Sequence, residues 1–263
     1  WLERRHKTAD GDERIQQYVY ILEANLVFHN GLTIPLMSEF LSYGEGDPDD
    51  HKQDCELNAL KRLATRLKEE FPGLPIILLL DGLYPNGPVM QMCQEHHWEH
   101  MIVLPDKCLP SVWQEYNSLK TEEKDNIRSA IFRGRWQKFC WVNNIVYGYD
   151  NDRKHVKIHV VVCEETWEEV DPNSTEIITK HGRHAWISSQ PLTYENVVEL
   201  CNHGARFRWG IENSMQVEKH YGYNYEHVFS YNWNAMRGFH YLMRMGHMFN
   251  AIALHTKRVI KIA

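Results

Sequence analysis

The sequence predicts an α/β fold, a mixed sheet flanked by helices with a β-rich insertion, and three observations carry that reading. Ile76 to Leu80 is a continuous apolar run bounded by Pro75 and closed by Asp81, the pattern of a strand buried on both faces. Leu57, Leu60, Ala64, Leu67 and Phe71 recur at helical spacing just before it, and Gly73 ends that helix. From Lys138 to about Ser188 the texture changes to FCWVNNIVYGYD, HVKIHVVVCEE and HAWISS, three strand-like runs separated by polar loops.

The other elements follow in order. Ile15 to Phe28 is rich in β-branched and aromatic residues, His29-Asn30-Gly31 supplies turn chemistry, and Leu32 to Leu41 reads as the return strand of a hairpin. Tyr43 to Asp50 reads as a loop and Asp54 as the cap of the following helix. After Asp81, a short helix is expected over Met90 to His97, a buried strand over Met101 to Leu104, and a helix over Ser111 to Ile127. Beyond Pro191 helices are expected at Tyr194–Asn202, Arg208–Tyr221 and Trp233–Lys257. Hairpin, helix, buried strand ending in Asp, helix and strand make up most of a ribonuclease-H-like core. Its opening central strand has no counterpart, because Trp1 to Glu13 is charged and irregular, so that strand is expected upstream of Trp1. The division expected is 1–130 for the first part of the core, 131–190 for the β-rich insertion and 191–263 for the helices that complete the core.

Composition limits the function. At 263 residues, 43% apolar and 24% charged, the chain is of globular type. No apolar run approaches the roughly 20 residues that span a bilayer. Six widely spaced cysteines contain no Cys-x-x-Cys pair, which argues against a zinc ribbon and against a disulfide scaffold. A reducing cytoplasm is the simplest setting. The net charge of −6 hides an asymmetry: Cys201 to Ala263 holds eight Lys/Arg against three acids, so the end is basic and the body acidic. A basic end suits a polyanion-binding face, and it also suits an ordinary helical terminus.

The chemistry rests on Asp81 and on RWGIENSMQVEK. Intervals of four and seven residues place Arg208, Glu212 and Lys219 on one face of an α-helix. Taken alone this is a solvated ion-pair face. Together with an acid at the end of a buried strand, where open α/β sheets present functional groups, it becomes a set of hard oxygen ligands with phosphate-clamping cations.

On these residues the chain resembles insertion-sequence transposases of the DDE class, the group with a β-insertion before the last acid and a Tyr-x2-Arg-x3-Glu-x6-Lys signature. Arg208, Glu212 and Lys219 match that spacing, and Ala205 stands where the Tyr would fall. Leu80-Asp81-Gly82-Leu83-Tyr84 is similar to the second-Asp motif, Lys52-Gln53-Asp54-Cys55-Glu56 to a motif of one branch, and Trp186-Ile187-Ser188-Ser189 to the stretch before the last helix. The resemblance implies DNA cleavage and strand transfer at element ends, with Mg²⁺ or Mn²⁺ in a two-metal site held by Asp81 and Glu212. Arg208 and Lys219 would hold phosphate and DNA. It implies DNA as partner, both element ends and target, admits a homodimer, requires no membrane, and places the protein in the bacterial cytoplasm at the nucleoid. Asp10-Gly11 imitates the first-Asp motif, but Thr8-Ala9 does not read as a buried strand. Asp10 therefore reads as a surface turn, and the first acid is expected upstream, leaving this chain inactive on its own.

A non-catalytic DNA-binding relative and a host nuclease of the same fold stay open. Among other residues, His96 and His100 could face one way on a helix as a zinc pair. His155 and His159 share a strand face and read as surface or DNA-contacting. Glu56 could pair with Lys52 or Lys61, and Glu39 could face the metal site. Trp209 reads as packing, with base stacking the alternative. Tyr221, Tyr223 and Tyr225 with His220 and His227 form an aromatic patch, either core or nucleic-acid contact.

Overall fold

The computed structural model describes residues 2–7, 11, 13–41, 55–171, 174 and 176–256. Two compact units emerge. One combines residues 1–72 with 209–263, and the other is Gly73–Arg208. The sequence-predicted cap Asp54, the loop Tyr43 to Asp50, Lys52 and Asp10 lie outside the described residues.

The second unit is a six-stranded mixed sheet flanked by helices. Its strands are β5 (Ile77–Leu80), β6 (Glu99–Val103), β7 (Ile127–Phe132), β8 (Arg135–Tyr149), β9 (Lys154–Val170) and β10 (Ile177–Ser188), in the order β5-β6-β10-β9-β8-β7. β5 and β6 run parallel, with Leu80 opposite Ile102, and the other pairs are antiparallel. Trp186–Ser188 pairs with Met101–Val103, so the strands of the β-rich stretch continue the sheet begun by β5 and β6. Helices α2 (Gly87–Glu95) and α3 (Pro110–Leu119) and the short turn α4 (Val197–Glu199) complete the unit.

Its core forms where one sheet face meets residues 197–205. Phe139, Trp141, Val161, Cys163 and Trp186 pack with Val197, Cys201 and Ala205. Burial alternates along the first part of β8, the period-2 pattern that buries one face, whereas residues 158–163 of β9 are buried without a break, as in a strand covered on both faces. A bulge at Val142/Ile145, with Asn144 at φ 62°, breaks the register. Beside it the Asn143 amide accepts from Leu192 N–H at 2.9 Å and donates to Leu192 C=O at 2.8 Å, fixing the chain after β10.

Several expectations are corrected here. The helix predicted over Ser111 to Ile127 stops at Leu119, and Ile127 opens β7 instead, where alternation along IRSAIF outweighs helical spacing. Tyr194–Asn202 is not one helix: α4 has a single turn, followed by a π-helical turn over Leu200–Gly204 and a 3-10 turn over Ala205–Arg208. His96 caps α2 and His97 takes φ 57°, so the chain turns before β6 and His96 and His100 share no helix. His159 is buried rather than surface, its Nδ1 at 2.9 Å from Asn143 Oδ1, whereas His155 is exposed beside Asp152.

His100 is an acid-sensitive group of this core. It is 2% exposed, and neither ring nitrogen has a hydrogen-bond partner. Burial pushes its pKa down to about 4. The folded state thus resists the proton that the unfolded chain accepts below about 6.5, so its contribution is complete above that pH and is lost as pH falls toward 4. Replacing His100 by Met is expected to raise stability by roughly 1–3 kcal/mol, the cost of an unsatisfied buried polar group. The gain in Tm should be larger at pH 5 than at pH 7.5, and an equal or negative change at both would show that the imidazole is not penalised.

Among the described residues the first unit holds two hairpins and three helices. β1 (Leu2–Lys7) pairs with β2 (Glu13–Tyr18), and β3 (Tyr20–Val27) with β4 (Thr33–Leu41). Trp1 to Glu13 is expected to be irregular, yet Leu2–Lys7 forms a strand that pairs along its length with β2. Gly31 at φ 85° makes the β3–β4 turn, since only a residue without Cβ adopts that conformation freely. Helix α1 (Glu56–Glu70) starts from Cys55 and buries Ala59, Leu60, Leu63, Ala64 and Leu67. Tyr20 O–H donates to Glu56, and Glu39 pairs with Arg62 at 2.6 Å and Arg66 at 2.8 Å, so Glu39 serves to hold α1 to β4. Helices α5 (Trp209–His220) and α6 (Trp233–Leu254) close the unit. Among the described residues no helix is long and apolar enough to cross a membrane.

Candidate functional site

Asp81 follows the last residue of β5, at the carboxyl end of a parallel pair. Its Oδ1 accepts the Leu83 N–H at 2.9 Å, an Asx turn that sets the side chain as the chain leaves the sheet. Gly82 is required at this bend, because a Cβ there would lie 2.6 Å from the Pro105 ring. The carboxylate is half-buried, and among the described residues no side chain pairs with its second oxygen. It is thus a hard oxygen donor oriented by the turn.

Glu212 stands in the first turn of α5 and Lys219 in its last turn, both exposed. Seven residues apart on a regular helix, they keep the common face that the spacing predicts. Arg208 closes the 3-10 turn before α5 and is half-buried. Asp81 and Arg208 belong to the unit of residues 73–208, and Glu212 and Lys219 to the other.

The turn that ends in Arg208 is anchored by Glu165, whose side chain is fully buried. Arg206 pairs with Glu165, Gln137 Nε2 donates to it at 2.6 Å, Arg135 Nη1 lies at 3.2 Å and His184 Nε2 at 3.4 Å. Burial pushes the Glu165 pKa up, but the Gln137 hydrogen bond and the Arg206 charge outweigh it and hold the carboxyl below its ordinary range.

Helix α5 is anchored by a second buried polar group, which the sequence reading missed. Its inward face carries Ser214 and Glu218. Glu218 Oε1 takes Arg244 Nη1 at 2.9 Å and His247 Nδ1 at 2.7 Å. The same Arg244 nitrogen reaches Glu23 Oε2 of β3 at 2.6 Å, and Nη2 reaches Asn25 Oδ1 at 2.6 Å. His240 bridges Tyr225 O–H and Ser38 Oγ at 3.0 and 2.9 Å. Gly210 allows the close approach of α5 to β4, since a Cβ there would lie 2.4 Å from Thr33 Oγ1. One guanidinium faces two carboxylates in this group. Burial is the main cause that pushes the Glu23 pKa up to about 7, with Arg244 opposing it and the Glu218 charge adding to it. His240 is pushed down to about 4 by burial and then by Arg244. The available signal was the spacing of His240, Arg244 and His247, a polar stripe along an otherwise apolar helix.

Of the remaining sequence-predicted residues, Trp209 is 60% exposed and is therefore not a packing residue. Tyr225 packs into the buried group, whereas Tyr221 is exposed. None of the six cysteines forms a disulfide.

No protein-family model matches the chain, and no curated protein matches it significantly.

Proposed function

We propose that the chain carries the ribonuclease-H-like catalytic part of a DDE-class transposase, which cuts DNA at the ends of a mobile element and joins the freed strand to target DNA. One observation supports this above the others: Asp81 directly follows the carboxyl end of a parallel strand, and an Asx turn with the Leu83 N–H orients its side chain there. Glu212, exposed on α5 together with Lys219, supplies the second acid of the matching signature.

Both acids offer hard carboxylate oxygens, the donor chemistry that Mg²⁺ or Mn²⁺ prefers, so the residues fit the cation in kind. When bound, such cations lower the pKa of an attacking water and stabilise the leaving oxygen. In this reading Asp81 and Glu212 hold the cations. Lys219, on the same helix face as Glu212, neutralises a phosphate, and Arg208 holds a second phosphate from a turn fixed by the Arg206–Glu165 pair. Burial of Glu218 keeps α5 from rotating, so that Glu212 and Lys219 stay outward.

The test is nicking of a plasmid carrying the element ends by the protein expressed from its full reading frame. Cleavage should require Mg²⁺ or Mn²⁺ and be lost in both Asp81→Asn and Glu212→Gln. Full activity in either variant would sink the assignment, and DNA binding without any cleavage would favour a non-catalytic relative. Lys219→Ala is expected to weaken DNA binding about equally across sequences. It should also reduce the slope of log affinity against log salt by about one, the signature of one lost phosphate contact.

A further inference from the structure

The segment between α5 and α6 contains a feature that the catalytic reading does not use. A cavity of about 470 Å³ opens there, lined by Gly222, Tyr223, Asn224, His227, Phe229 and Phe239, among others. That volume lies within the range of small-molecule and cofactor sites. The Phe229 and Phe239 rings stack with centroids 4.4 Å apart and planes 3° from parallel. Phe229 is nevertheless 62% exposed, so much of its ring surface is accessible to a ligand.

The backbone is shaped to form this opening. Gly222 at φ 104° and Asn224 at φ 52° turn the chain twice within three residues. Asn250 Nδ2 donates to Tyr223 Oη at 2.6 Å, leaving the phenol O–H free to donate toward a ligand. His227 and Asn224 are exposed at the cavity wall and offer edge hydrogen bonds. Lys219 and His220 occupy the last turn of α5, immediately before the cavity-lining residues. Tyr221 at 72% and Tyr231 at 84% exposure flank the opening on the chain. A hydrophobic core would not leave three aromatic rings outward within eleven residues of a basic helix end. Stacked rings, edge donors and adjacent cations are the parts of a platform for unstacked bases.

The geometry points to a single-nucleotide subsite in which an unpaired DNA base stacks on Phe229 within the α5–α6 segment. This rests on the DNA-processing reading above for its ligand class and adds to it a position where the strand is unstacked. The base would extend the Phe239–Phe229 stack by one ring, Tyr223, Asn224 and His227 would meet its edge, and Lys219 would meet the neighbouring phosphate.

The test uses fluorescence anisotropy of the full chain with a short fluorescein-labelled oligothymidylate, without divalent cations so that no cleavage competes. Phe229→Ala is expected to weaken binding between about fivefold and about a hundredfold, the range of one base–aromatic stack. Phe229→Trp should restore it. An abasic strand of equal length should bind the wild type as weakly as the oligothymidylate binds the Ala variant. Competition by free thymidine monophosphate at comparable concentration would reassign the subsite to a free nucleotide and overturn the strand-bound form. Unchanged affinity in Phe229→Ala and His227→Ala, with unchanged Tm, would overturn the subsite entirely. The two readings fail separately: Phe229-dependent binding with no nicking sinks only the transposase, and nicking with Phe229-independent binding sinks only the subsite.

Discussion

Glu212→Gln is expected to lower metal-dependent DNA cleavage by about a thousandfold or more while leaving Tm within about 1 °C of the wild type. The substitution keeps the shape of the side chain and removes its charge and one hard anionic donor. Losing an electrostatic stabiliser from a catalytic centre costs about 10²–10³ in rate, and losing a ligand to a catalytic cation belongs at or beyond the upper end. The structural cost is small. Glu212 is exposed in the first turn of α5, where a carboxylate gains roughly 0.3–1 kcal/mol from the helix dipole and the amide keeps part of that as an acceptor. Glu218, on the same helix, provides the internal control. It is fully buried and pairs with Arg244 and His247, so Glu218→Gln should lower Tm. Intact cleavage in Glu212→Gln would remove Glu212 from the chemistry; loss of cleavage accompanied by a large fall in Tm would make its role structural. Asp81→Asn should match Glu212→Gln in cleavage, because its carboxylate is the donor in question.

How much could be read from the sequence depended on the range of the forces involved. α1 was legible because its five buried residues recur at helical spacing. β5 was legible as a strand because of its uninterrupted apolar run, and Asp81 because it ends that run, but the expected burial on both faces is not met: β5 is the edge of its sheet, with Ile77 exposed and Leu78 to Leu80 only partly buried. β1 was not, since LERRHK has no apolar alternation and is a strand by virtue of its ladder with β2. The turns over Leu200–Arg208 were hidden for a similar reason. Arg206 reaches Glu165 forty-one positions earlier, and that distant pairing accompanies the departure from α-helical winding before α5. His159 looked like a surface residue on an alternating strand until the β8 bulge brought Asn143 against it. Within the site, then, the strand-end acid and the Glu212–Lys219 face were local patterns. The buried carboxylates that orient α5 were not, because Glu23 and Arg244 are 221 positions apart.

Arg244→Met is expected to produce the largest loss of stability, about 3–5 kcal/mol at pH 8, the usual cost of removing one partner from a buried ion pair. Arg244 is 5% exposed, and its guanidinium is the cation shared by Glu23 and Glu218. Met fills most of the stem volume but leaves two carboxylates facing each other without it. The pH dependence identifies the cause. Glu23 in the wild type is already pushed up to about 7, above its ordinary 4.5. An acid raised in this way contributes stability that is complete below its unfolded pKa and is lost as pH rises through about 7. Without the guanidinium the Glu23 carboxyl resists ionisation more strongly, so the variant should recover much of its deficit at pH 5, where protonation of Glu23 removes the repulsion. His240 acts in the same direction. Burial and then Arg244 hold its pKa near 4, and its contribution is lost as pH falls from about 6.5 toward 4. Removing the cation relieves part of that acid penalty in the variant alone. Urea unfolding at pH 5 and pH 8 therefore separates electrostatics from packing: a loss that is equal at the two values would mean that Arg244 acts through its stem. Adding Glu218→Gln to Arg244→Met should restore stability at pH 8, since it removes one of the two uncompensated charges. Strict additivity of the two substitutions would show that the guanidinium and Glu218 are not coupled.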